Sequence, residues 1–119
     1  MEVRREIVLD APPEEVWEAI TDPAELEEWF ANDVELDVRP GGEGIFRWDD
    51  GSVRRAIVEE VDVERSFSFW WWRENNEVSR VAIELDPLPE GTRVTVTETP
   101  PAEWATAIQM RATFAFARA

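Results

Sequence analysis

From residue 33 to residue 98 apolar and polar side chains alternate in short runs, and turn signals interrupt them at close intervals. Val34, Leu36 and Val38 alternate with Glu35, Asp37 and Arg39 ahead of Pro40-Gly41-Gly42. Gly44 to Trp48 precedes Asp49-Asp50-Gly51, a strong hairpin signal, and Val53 to Val63 follows. Phe67 to Arg73 is bounded by Glu74-Asn75-Asn76-Glu77, and Val81, Ile83 and Leu85 share a face before Pro87-Leu88-Pro89-Glu90-Gly91. Arg93 to Thr99 closes the series, with Val94 and Val96 on one side. A period of two means strands with one buried face, and connections this short join antiparallel neighbours. A sheet of this kind must cover its apolar face.

The remaining segments supply the cover. Residues 2–10 alternate and predict a first strand, stopped by Asp10-Ala11-Pro12-Pro13. Two short helices follow, over 13–20 (Val16, Trp17, Ile20) and 23–30 (Leu26, Trp29, Phe30), with Thr21-Asp22-Pro23 ending one and capping the other. An Ala-rich helix is expected over 102–118 and is the element long enough to cover the sheet. The fold class is therefore α+β: a curved antiparallel sheet of about six to seven strands around a C-terminal helix. At 119 residues the chain, 1–119, is expected to form one domain. In the Val53–Val63 run, Ile57 and Val61 compete with Ala56 and Val58 for the inner face.

Missing side chains narrow the chemistry. There is no His, Cys, Tyr or Lys, so the commonest general base, the thiolate nucleophile and the Schiff-base amine are excluded. No cofactor or metal is expected; Asp49-Asp50 with Glu43 has the chemistry of a cation site but the pattern of a hairpin tip. The formal charge of −15 opposes nucleic acid and anionic membrane surfaces as partners. With no secretory-type apolar start and no cysteine, a cytoplasmic location is expected.

The order of elements, with Ala11-Pro12-Pro13-Glu14-Glu15-Val16-Trp17, Leu26 to Phe30, Arg39-Pro40-Gly41-Gly42, Asp50-Gly51 and Gly91 to Glu98, resembles the START-like (SRPBCC) superfamily. Within it the chain is similar to bacterial homologues of the heat-shock-protein-90 ATPase activator C-terminal domain. The resemblance implies the helix-grip fold and a cavity for a small apolar molecule between sheet and C-terminal helix.

Candidate residues follow from strand parity. In Phe67-Ser68-Phe69-Trp70-Trp71-Trp72, the resemblance places Phe67, Phe69 and Trp71 inward. At about 150–250 Å² each, three such rings contribute on the order of 11–19 kcal/mol as an upper bound. Phe67 is expected in the core, Trp71 in core or pocket wall. Trp70 and Trp72 fall on the convex face, as an interaction surface or beneath stacked Arg54 or Arg80. Glu98 follows Val94 and Val96, either as a solvated strand-end acid or as an inward group able to anchor a ligand or act as acid or base. Arg47 and Arg55 are the candidate inward arginines, to pair with it or with a ligand carboxylate. The expected ligand walls are Phe46, Phe69, Trp71, Ile83, Val96, Glu98, Trp104 and Ile108. Three functions remain open: non-catalytic binding of a small hydrophobic or amphipathic molecule, docking of a protein partner or second copy, and a cyclase- or hydrolase-like enzyme using Glu98.

Overall fold

A computed structural model describes residues 2–73 and 78–99. The expected helix over 102–118, with Trp104 and Ile108, lies outside the described residues. Strand β1 (Val3–Leu9) leads into helices α1 (Pro13–Thr21) and α2 (Pro23–Trp29). Strands β2 (Asp33–Leu36), β3 (Glu43–Arg47), β4 (Val53–Asp62), β5 (Ser66–Trp72), β6 (Ser79–Leu88) and β7 (Gly91–Thr99) follow. The seven strands form one antiparallel sheet in the order β1-β7-β6-β5-β4-β3-β2. Among the described residues no helix is long and apolar enough to cross a membrane.

Local chemistry explains the helix ends. Pro13 occupies the first position of α1, where an N–H would have no partner, and Glu14 and Glu15 sit favourably in its first turn. The Asp22 side chain accepts a hydrogen bond from the Ala24 amide at 2.9 Å, capping α2 just where Pro23 starts it. Helix α1 lies over β6 and β7, and α2 packs on α1 and β2. Together the helices carry the chain across the concave face from the β1 edge to the β2 edge.

The uncertain faces of β4 are resolved by a bulge. Ala56 and Val58 point inward, opposite Trp71 and Phe69; the register then shifts between Val58 and Glu60, so that Val61 comes opposite Phe67. Val61 therefore joins Ala56 and Val58 on the inner face, across an inserted residue. Ile57 is left on the convex side, where it pairs with Trp70. The inner face of the sheet, with Val16, Ile20, Leu26 and Phe30, makes a single buried cluster.

Gly51, at φ 92°, turns the β3–β4 hairpin, where the Asp50 carboxylate accepts from the Ser52 amide at 2.8 Å. Gly42 is required for another reason. A Cβ there would collide with the Asp37 carbonyl oxygen, while its own carbonyl accepts from the Val58 amide at 2.8 Å. Gly42→Ala is expected to destabilise the protein by about 2–3 kcal/mol, seen as a lower urea midpoint at unchanged slope.

Candidate functional site

The concave face holds an apolar pocket beneath the two helices. Ile20, Leu26, Trp29 and Phe30 line it from the helical side; Leu36, Phe46, Phe67, Phe69 and Ile83 line it from the sheet. Backbone acceptors take up the polar ends of the nearby indoles. Trp29 Nε1 donates to the Ala19 carbonyl at 2.8 Å, and Trp48 Nε1 to the Phe30 carbonyl at 2.9 Å. The ring bodies are thereby left to form apolar surface. Phe30 organises the rings: it stacks on Trp71 at 6.0 Å and meets Phe46 edge-on at 5.6 Å. The pocket is partly open, and its room is about 20 Å³, the scale of about one or two waters.

Beside the pocket lies a buried polar cluster. Glu98 projects inward from β7 and is 0% exposed; its Oε2 accepts from Ser79 Oγ at 2.8 Å and from Trp71 Nε1 at 3.2 Å. Register explains the meeting. Glu98 pairs with Val81 on β6, Ser79 lies one inward step from Val81, and Ser79 is directly opposite Trp71 on β5. Arg54, also buried, places its guanidinium carbon 4.6 Å from the centre of a Trp71 ring. A desolvated cation over an indole is stabilised by about 2 kcal/mol. One carboxylate and one guanidinium thus share a single tryptophan.

This arrangement corrects two expectations about the arginines and decides between the two readings of Glu98. The inward arginine is Arg54, one β-step from the predicted Arg55; Arg55 is exposed and Arg47 pairs with Asp33 and Glu35 at 2.7 and 2.9 Å. Arg54 stacks on the inner ring Trp71, not on the outer rings. Glu98 is not a solvated acid, because β7 continues through it and the cluster encloses it.

The convex face has its own hub. Displaced outward at the bulge, Glu59 accepts from Ser68 Oγ at 2.9 Å, from Arg80 Nε at 2.8 Å and from Trp70 Nε1 at 3.1 Å. It ties β4, β5 and β6 together. Arg80 bonds Glu59 and so supports Trp70 through that carboxylate. Trp70 is still 40% exposed beside Ile57 at 43%, whereas Trp72, expected to be exposed, is half-buried. Among the described residues no group of three or more acidic side chains is placed to hold a metal ion.

The family described as AHSA1, Activator of Hsp90 ATPase homolog 1-like protein, matches residues 10–117. The chain belongs to this family. No curated protein matches it. Among solved structures it is similar to protein MLL2253 from Mesorhizobium loti, at 25% identity and TM-score 0.79, over 90% of this chain and 84% of that one. It is also similar to DynU16, a protein of the dynemicin biosynthetic locus, at 26% identity and TM-score 0.77, over 97% of this chain but 43% of the other. PFC0360w, an HSP90 activator from Plasmodium falciparum, shares the fold at 21% identity and TM-score 0.73, over 83% and 72% of the two chains.

In this AHSA1-family chain the expected wall residues separate into groups. Phe46, Phe69 and Ile83 line the pocket. Trp71 and Val96 are buried in the core cluster around it, and Glu98 lies in the polar cluster. The sequence reading missed Leu36 and the helical side as parts of the pocket wall, although the Leu26, Trp29 and Phe30 stripe was the available signal. It also missed Arg54 and Ser79, whose inward positions depend on register.

Hydrogen bonds from Arg80, then from Ser68, hold the Glu59 carboxyl below its usual range. Folded Glu59 therefore binds its proton more weakly than in the unfolded chain. Its contribution is complete above the ordinary carboxylate value of about 4.3 and is lost as pH falls through the lower folded value. Glu59→Gln should cost about 1 kcal/mol at neutral pH, because the partners are partly solvated. It should also flatten the acid limb of a plot of urea stability against pH.

Proposed function

We propose that the protein binds a small apolar or amphipathic molecule between helices α1 and α2 and the concave face of the sheet, without catalysing a reaction on it. The observation that carries the proposal is the pocket itself, nine apolar or aromatic side chains whose one polar group, Trp29 Nε1–H, is taken up by the Ala19 carbonyl. Apolar concave sites with a few polar groups nearby are the usual setting for small-molecule binding. With room for about one or two waters, ligand entry requires α2 to part from the sheet. Among the described residues, hydrogen bonds fastening it there include those that Glu27 Oε2 accepts from the Val34 amide at 3.0 Å and that the Phe30 carbonyl accepts from Trp48. A cytoplasmic location forms part of the same proposal.

Ethylbenzene, naphthalene and decanoic acid are suitable probes. At least one should raise the melting temperature by several degrees when present far above its dissociation constant. Leu36→Phe, which fills the pocket from a half-buried edge position, should remove that response. No response to any of the three would overturn the proposal.

A second function is supported by the exposed pair Trp70 and Ile57 together with the family's description as Hsp90-activator-like: docking of a protein partner or second copy on the convex face, with Trp72 at its margin. Size-exclusion chromatography with light scattering should then show self-association that Trp70→Ser weakens. A monomer at every concentration leaves the second-copy form without support.

A further inference from the structure

We infer that the cluster of Arg54, Trp71, Ser79 and Glu98 is the polar end of the pocket, and that it receives a neutral head group able both to donate and to accept a hydrogen bond. An otherwise apolar alcohol or phenol has that chemistry. The inference rests on the pocket-binding proposal above and names the ligand class.

An apolar wall can hold a ligand but cannot orient it, and the one polar group of the nine lining side chains, Trp29 Nε1–H, is spent on the Ala19 carbonyl. The nearest orienting groups lie one ring away. Trp71 contacts three of the lining rings, Phe69 at 5.4 Å and Phe30 and Phe46 at 6.0 Å each. The same side chain carries the Nε1–H that meets Glu98. A single indole therefore joins the rings of the pocket to a buried carboxylate.

The two bonds to Glu98 Oε2 are unequal. Ser79 donates at 2.8 Å, whereas Trp71 donates at 3.2 Å, the long end of the N–H···O range. The longer bond is the one a ligand can open. A hydroxyl placed between the two groups donates to Glu98 Oε2 and accepts from Trp71 Nε1–H, so neither buried group loses its partner. Ser79 keeps its hold on the carboxylate throughout.

Charge decides the rest. The Arg54 guanidinium over Trp71 and the Glu98 carboxylate at its edge supply one charge of each sign within one side chain's width. A ligand carboxylate cannot donate and faces Glu98; an ammonium cannot accept and faces Arg54. Bringing either ion out of water would add a penalty of several kcal/mol. A neutral hydroxyl avoids both conflicts.

Ethylbenzene, 4-ethylphenol and 4-ethylbenzoate share one body and differ in the head, so calorimetric affinities for the three isolate its contribution. The wild-type protein should bind 4-ethylphenol on the order of tenfold more tightly than ethylbenzene, with 4-ethylbenzoate no tighter than ethylbenzene. In Glu98→Met, which removes the acceptor, and in Trp71→Phe, which removes the N–H but keeps a ring and the Glu98–Ser79 bond, the ratio should fall toward one. The ratio is taken within each variant and so does not depend on how stable that variant is. Equal binding of phenol and ethylbenzene, a ratio that survives in the folded variants, or preference for the benzoate would each overturn the inference while leaving the pocket standing. Failure of all three compounds to bind would remove the pocket and this inference together.

Discussion

Strands β1 and β2 lie at opposite edges of the sheet, so the chain between them has to cross its whole width. Six inter-strand gaps of about 4.8 Å amount to about 29 Å along a flat sheet, and less across a curved one. The 9 residues of α1 and 7 of α2 span about 24 Å as helices. With the residues that flank and join them, the helices are therefore long enough to bridge the concave face. The same crossing buries Val16, Ile20, Leu26 and Phe30 against the sheet and creates the pocket beneath them.

Tryptophan is used in this fold as a side chain with two ends. Trp29 and Trp48 give their N–H groups to backbone carbonyls, Trp70 and Trp71 to carboxylates on opposite faces of the sheet. In each case the ring body adds apolar contact and the nitrogen meets an acceptor. The two carboxylate-bound indoles are successive residues of β5, so strand parity alone sends one inward and one outward. Glu59 and Glu98 thus play parallel parts. Glu59 works near water, with Arg80 and Ser68; Glu98 works in the interior, with Ser79 and the nearby Arg54.

The contrast sets their energetics apart. A partly solvated carboxylate bonded to an arginine contributes modestly and responds to salt and acid. A buried carboxylate costs several kcal/mol to desolvate and persists only with good hydrogen bonds around it. An apolar group in its place would fill the same space without that cost. The placement of Glu98 beside an otherwise apolar pocket therefore has consequences for recognition as well as for folding.

Much of the fold is legible along the chain because its signals are local. Alternation, Asp50-Gly51 and the prolines at 13 and 23 act within a few residues, and they set the number, order and type of the described elements. Inward placement of Phe67, Phe69 and Trp71 follows from period two once one neighbour's face is known. Other features depended on pairing. Arg54 faces inward with Ala56 and Val58, and the β4 bulge then moved every later side chain of that strand by one place, so that Val61 came to share their face. No local pattern encodes that shift, because it is chosen by the match of β4 to β5 as a whole. The pocket, and the meeting of Glu98 with Ser79 and Trp71, have the same origin: they join residues from distant segments that only the paired sheet and its crossing helices bring together.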